Sequence, residues 1–261
     1  MKTHQAVSAF FAAKQGIYAR STRSQYLLIL GILGDSHDRL PDKPEPLELL
    51  LAAPTWALET RLTYQRRLAT FYNWLTRRGL IKHNPMPLVE RPRLRQQIHR
   101  SLNTADLSHL LHEARHTPAM KAFLWLLIDT GLRVSEAWSV GNHIQDTDGF
   151  LKVDGKVGVR LVPVSDRVLD AVRFVLPWPW SNGSIAGASV RKAFKAAGFS
   201  GKHASAQSIR HAFVRAWDGD MTALRDVMGW TSLKMLSRYR PYDMDRAKRE
   251  HDKQGLLTKV L

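Results

Sequence analysis

The chain of 261 residues has no cysteine. That absence removes disulfides, thiolate metal sites and cysteine nucleophiles together, and it suits a reducing compartment. Long apolar runs are missing too: stretches such as Ala122 to Ile128 are far too short to span a bilayer. Behind Met1-Lys2 there is no apolar segment leading to a small-residue cleavage site, so the sequence reads as that of a soluble intracellular protein. None of the 11 histidines falls in an H-E-x-x-H or similar paired spacing, which leaves a metal site little support. Acidic residues are scarce: 23 Asp and Glu face 39 Lys and Arg, for a net charge of +16. Such a charge suits a polyanionic partner, although a membrane surface or a ribosomal role answers to it as well.

What is present is enough apolar content, 44%, to build real cores, in a chain longer than one typical domain and shorter than three. The first part reads as helical. Thr22 to Leu33 forms one amphipathic stretch, closed by Gly34 and a polar, proline-bearing loop through Pro46. A second runs from about Thr55 to Arg78, with Leu62, Leu68, Phe71, Tyr72 and Leu75 on one side and Gly79 as its cap. Arg61, Arg66, Arg67, Arg77 and Arg78 fall elsewhere on that helix. They are either a solvated face or, given the one-sided excess, a face presented to phosphates.

Asn84-Pro85-Met86-Pro87 and Glu90-Arg91-Pro92-Arg93-Leu94-Arg95 then make an extended connector. A boundary near residue 97 follows, and the next helix begins at a cap on Asn103 or Thr104. Helical pattern from Ala119 to Trp138 is interrupted at Thr130-Gly131. Phe150 to Val153, a turn at Asp154-Gly155-Lys156 and Val159 to Val164 read as a hairpin. Beyond Ser165 the pattern is helical again, broken at Pro177 to Gly183.

Taken singly, the chemistry-bearing residues are ordinary. Arg133 after a glycine break, Lys156 at a hairpin tip, Arg210 in Ser208-Ile209-Arg210-His211, Trp230 after Gly229, and Tyr239 between two arginines each have a plain structural reading. In order they resemble one family closely. Arg133, then Lys156 23 residues on, then Arg210, then Gly229-Trp230, then Tyr239 nine residues after the tryptophan is similar to the tyrosine site-specific recombinase (integrase) pattern. Thr130 to Glu136 looks like its first arginine motif, and Gly155-Lys156 with Arg160-Leu161-Val162-Pro163 like its lysine hairpin. Ile209 to Phe213 looks like its second arginine motif, and Val227 to Tyr239 like its closing motif. Xer-type members mostly have His where Trp230 stands; Cre has Trp.

The resemblance implies a mainly α fold with a small β-sheet: a helical core-binding domain, residues 1–97, and a catalytic domain, residues 98–261, forming a C-shaped clamp on duplex DNA. It implies DNA cleavage and rejoining with no cofactor, neither metal nor ATP, because a 3′-phosphotyrosyl bond conserves the energy for religation. Tyr239 would be the nucleophile, Arg133 and Arg210 the clamp on the non-bridging oxygens, and Lys156 the acid for the leaving 5′ oxygen. Trp230 would donate its indole N–H to a phosphate oxygen, and Glu136, one turn from Arg133, would orient it or support the fold. Partners would be double-stranded DNA, a homo-tetramer on two sites, and accessory DNA-bending proteins. A cytoplasmic, nucleoid-associated protein of a phage, plasmid or other mobile element is the matching setting. The segment Met244 to Leu261, with Leu256, Leu257 and Val260, would either swap between neighbours or pack on its own domain.

One position departs from the pattern. Three residues before the second arginine the family usually has His, and here stands Gln207, which cannot serve as a useful general base. His203 is near, and His211, next to Arg210, is structural in the family. Two rival readings stay open: a type IB topoisomerase-like nicking enzyme, and a catalytically silent DNA-binding accessory protein.

Overall fold

The computed structural model describes residues 1–92, 102–113, 115–141, 144–155, 158–201 and 204–232. The chain divides into two compact units, Met1–Gln97 and Ile98–Leu261. Outside the described residues lie the connector from Arg93, Lys156, His203, Tyr239, Tyr242 and the whole Met244 to Leu261 segment. No helix among the described residues is long and apolar enough to cross a membrane.

Among the described residues unit 1 has four α-helices, α1 (Thr3–Ala13), α2 (Arg20–Ser36), α3 (Pro44–Leu51) and α4 (Leu58–Arg77), and a short 3-10 turn at Met86–Leu88. Along α4 the buried positions Leu62, Leu68, Phe71, Tyr72 and Leu75 recur at helical spacing and turn one stripe inward. Their focus is Phe10 of α1, whose ring meets Phe71 and Trp74 edge-on with centroids 5.3 Å away in each case. The buried amide of Gln65 donates to the carbonyls of Val89 (3.3 Å) and Glu90 (3.1 Å), which ties the chain after α4 back onto it. Two expectations need correction here. Gly34 does not close α2, which runs on to Ser36, because burial of Ile29, Leu30 and Leu33 outweighs the roughly 1 kcal/mol helix cost of a glycine. The proline-bearing stretch is not all loop either. Pro44 and Pro46 occupy the first turn of α3, where a missing N–H leaves nothing unsatisfied.

Unit 2 opens with α5 (Thr104–His112), capped by Asn103. Its side chain accepts from the Asp106 N–H (2.8 Å), and Asp106 reaches back to the Asn103 N–H (3.0 Å). The central helix is α6 (Pro118–Thr130), apolar on most faces and packed on by α5, α7 (Val134–Val140), α8 (Asp166–Val175), α9 (Gly183–Ala196) and α10 (Ala206–Ala216). The Pro177 to Gly183 break is partly core. Trp178 is buried against Phe123, and its indole fills the space a side chain at Gly141 would need.

A three-stranded antiparallel sheet, β1 (Asp146–Thr147), β2 (Phe150–Gly155) and β3 (Gly158–Pro163), lies against α7 and against α11 (Met221–Met228). The hairpin turn falls later than Asp154-Gly155 implies. Both residues are still paired, Asp154 with Val159 and Gly155 with Gly158, so the connection is residues 156–157. Strand alternation turns Leu151, Val153, Arg160 and Val162 inward.

Candidate active site

The site starts where α6 stops. Gly131 takes the left-handed conformation (φ 62°), and a Cβ there would lie 2.6 Å from the Phe213 ring, so no other residue fits the turn. Two residues on, Arg133 sits extended at the head of α7. Glu136, in the first turn, reaches back to the Arg133 N–H (3.0 Å) and pairs with its Nη1 (2.9 Å).

Glu136 is the hub. It is 5% exposed and takes a second guanidinium, with Arg160 Nη2 donating at 2.9 Å and Nη1 at 3.3 Å. Arg210 Nη1 stands 4.0 Å from the same carboxylate. Burial alone pushes the Glu136 carboxyl up. The hydrogen bonds from Arg160 and the Arg133 backbone, with the charges of both arginines, outweigh it and hold the group below the usual carboxylate range.

The end of α11 is held by the same arginines. The last four carbonyls of a helix have no partner within it. Here the Trp230 N–H bonds the Arg225 carbonyl (3.0 Å) and the Gly229 N–H that of Asp226 (3.1 Å), around a left-handed Gly229. Val227 accepts from Arg160 Nε (2.9 Å) and Met228 from Arg210 Nη2 (2.9 Å). Two positive charges thus lie at the negative pole of the helix. Arg210 also donates from Nη1 to the Gly131 carbonyl (2.8 Å) and is 1% exposed, so it ties the ends of α6 and α11 together.

An open cleft of about 990 Å³ lies in front, lined among others by Arg133, Gln207, Arg191, Asn182, Ser205 and Gly155. Arg133 is 39% exposed on its wall. The starts of α9 and α10 both contribute to the lining, and helix N-termini favour anions. Gln207, exposed in the first turn of α10, therefore shares the cleft with Arg133. Trp230 is not among the lining residues; it is 6% exposed and packs with Val214, Leu224 and Met228. Arg210 and Arg160 stand one layer behind the wall. Lys152, the other lysine of the hairpin, is exposed on the opposite face of the sheet from Arg160. Lys156 and Tyr239 lie outside the described residues.

Arg160 is the residue that motif reading left without a role. Its signal was in the strand: in Val159-Arg160-Leu161-Val162 the arginine is in phase with buried Val162, while Val159 and Leu161 are exposed. A charge at a core-phase position requires a partner.

The basic face expected on α4 is mixed. Arg61 folds back onto the carbonyls of Trp56 (3.1 Å) and Ala53 (3.0 Å), and Arg67 bonds Gln25 and covers the Tyr26 ring. Arg66, Arg77 and Arg78 are exposed.

No protein-family model matches the chain. Among curated proteins it is 28% identical over 219 residues to tyrosine recombinase XerC of Pelobacter propionicus, covering 72% of this chain and 71% of that protein. It is 30% identical over 207 residues to XerC of Rhodospirillum centenum, covering 67% of this chain and 60% of that one. Among solved structures its fold is similar to a lambda integrase dimer bound to a COC′ core site (TM-score 0.78, 16% identity, 93% of this chain and 79% of that). A lambda integrase tetramer bound to a Holliday junction gives 0.76, with 15% identity over 94% and 80% of the two chains. The Tn1549 transposon integrase in complex with transposon right-end DNA gives 0.74, with 17% identity over 97% and 99%.

Proposed function

This chain belongs to the tyrosine recombinase and integrase family, and from that premise we propose that it is a site-specific recombinase that cuts and rejoins duplex DNA through a 3′-phosphotyrosyl link on Tyr239. The observation that carries the reading is the cleft in unit 2. Arg133 is held there by a buried carboxylate and faces solvent beside Gln207 and two helix N-termini. A site of that kind suits one phosphate of a DNA backbone.

In the reaction the Tyr239 oxygen attacks phosphorus, the P–O5′ bond breaks, and Lys156 gives its proton to the departing 5′ oxygen. Arg133 stabilises the charge that builds on the non-bridging oxygens, and Arg210 adds its charge from one layer deeper. Gln207 donates its amide N–H to a phosphate oxygen, and the phenolic proton leaves to water. Positive charge around the phosphate lowers the phenol pKa enough for this to proceed without histidine.

Unit 1 is read as the core-binding domain and unit 2 as the catalytic domain, with Trp230 bracing the end of α11. The lambda integrase tetramer on a Holliday junction supports a working unit of four copies on two DNA sites. Accessory DNA-bending proteins fit the same reading. A cytoplasmic, nucleoid-associated setting fits a DNA substrate, and the integrase neighbours support a mobile-element origin.

A nicked suicide substrate carrying the target site tests this. The wild type should leave an SDS-resistant adduct. Tyr239→Phe should abolish it with binding retained, and Tyr242→Phe, at the other tyrosine three residues on and behind Pro241, should leave it intact. An adduct that survives Tyr239→Phe overturns the assignment. A wild type that binds its site but gives no adduct at any pH hands the case to the silent DNA-binding reading.

A further inference from the structure

We propose that Arg160 is a positioning residue for the leaving-group acid, its guanidinium being the wedge that sets the root of the β2–β3 connection against the carboxylate holding Arg133. The inference rests on the reading of Lys156 as the acid.

Three segments of the site meet at this one side chain. Its two Nη atoms take both oxygens of Glu136, and its Nε takes the Val227 carbonyl. It is 12% exposed. Two glycines make room for it. A Cβ on Gly229 would lie 3.1 Å from its Cδ and Nε. A Cβ on Gly155 would lie 2.5 Å from its Nη1 and 3.1 Å from Glu136 Oε1.

The two glycines differ in an instructive way. Gly229 needs glycine for its backbone, since its φ is 63°, whereas Gly155 is not among the glycines of positive φ. A side chain at Gly155 would therefore have to displace the Arg160 guanidinium and press on Glu136 Oε1, and Gly155 is the residue directly before Lys156. The strand pairing places Gly155 opposite Gly158, so this contact lies at the last rung of the ladder before the connection. Lysine cannot replace arginine at this position. A single ammonium has no planar fork to span a carboxylate and a helix-end carbonyl at once.

The consequence is a direct link between charge stabilisation and proton delivery. Glu136 Oε1 accepts from both guanidinium groups and Oε2 from the Arg133 N–H and Arg160 Nη2, and Arg160 lies against Gly155, the residue directly before Lys156 in the chain. Moving the guanidinium should misplace the acid first, because Arg133 keeps its own bonds to Glu136.

Single-turnover cleavage of two suicide substrates by the full chain tests this, one with the normal 5′ bridging oxygen and one with sulfur in its place. A thiolate leaves without a proton, so the sulfur substrate bypasses the acid. Lys156→Ala, Arg160→Lys and Gly155→Ala should each slow cleavage of the oxygen substrate, by about 10²-fold or more for the first two. All three should recover to within a few-fold of wild type on sulfur. Val159→Ala, on the exposed face of the same strand, should change neither rate. Slow cleavage by Arg160→Lys and Gly155→Ala on both substrates, while Lys156→Ala is rescued, overturns the proposal and leaves Arg160 a brace for the fold. If Lys156→Ala itself is not rescued, the acid assignment fails and the proposal falls with it. Should Arg160→Lys not fold, Gly155→Ala decides the matter, since it displaces the guanidinium without removing it.

Discussion

In unit 1 the arginines of α4 lie around an apolar core, whereas in unit 2 Arg210 is buried and Arg160 is largely enclosed beside it. Arg66, Arg77 and Arg78 are exposed, and Arg67 rests on the Tyr26 ring around a nucleus of Phe10, Phe71 and Trp74. Arg160 and Arg210 are enclosed and matched to helix-end carbonyls and to Glu136. The same side chain is a surface charge in one unit and an internal strut in the other. A buried charge costs several kcal/mol unless it is paired, so its presence marks a place where geometry is held for chemistry. An exposed one costs little and adds to the field that attracts DNA.

The largest expected effect comes from removing the hub. Glu136→Ala leaves Arg160 buried without its carboxylate and should destabilise unit 2 by about 3–5 kcal/mol. Phe10→Ala should cost unit 1 a similar ~3–5 kcal/mol through a cavity. Native-state hydrogen exchange separates them. Glu136→Ala should loosen α7 and the β2–β3 ladder while α2 and α4 stay protected, and Phe10→Ala the reverse. Equal loosening in both units would erase the distinction.

The contrast also depends on pH. Because the Glu136 carboxyl is held below its ordinary value in the folded protein, its contribution is full above the unfolded carboxylate range. It fades as pH falls through the folded value. The gap in denaturant midpoint between wild type and Glu136→Gln should therefore narrow on acidification. A gap that stays constant to low pH would show that the pairing adds no stability.

Much of this arrangement was legible beforehand, and the misses have physical causes. The Asn103 cap, the Gly131 break and the hairpin follow from local rules, which depend on a few neighbouring residues. Gly34 and Pro44 lie inside helices despite the local signal, because tertiary burial overrides a glycine and a first-turn proline is harmless. In the expected turn Asp154-Gly155-Lys156 the Asp-Gly signal is overridden by two further rungs of ladder, and Lys156 follows the last paired residue. Arg160 stands within the lysine-hairpin motif, but no local pattern assigns it a role, since its partners Glu136 and Val227 are 24 and 67 residues away. Long-range pairing is not written in local pattern. The ring of Trp230 packs with Val214, Leu224 and Met228, as its apolar bulk favours.

Smaller effects sharpen the comparison further. Gln207→His adds a base beside Arg133 and should keep or raise the cleavage rate near neutral pH, while the wild-type rate climbs as the phenol ionises more easily. A histidine variant slower than wild type would mean that the amide does more than a base can replace. In unit 1, Arg66→Ala should weaken DNA binding for every sequence alike and lower the salt slope of log K by about 1, if the residue meets one phosphate. An unchanged slope would return Arg66 to a solvated face.

One measurement separates the two uses of arginine most directly: the rate of adduct formation on saturating suicide substrate, with Kd determined in parallel. Arg133→Ala should lower the saturated rate by on the order of 10²-fold or more, with Kd changed only modestly. A combined Arg66→Ala, Arg77→Ala and Arg78→Ala variant should raise Kd several-fold and leave the saturated rate near wild type. The opposite pattern, with Arg133→Ala cleaving normally once saturated and the unit 1 variant failing to cleave, would contradict the account.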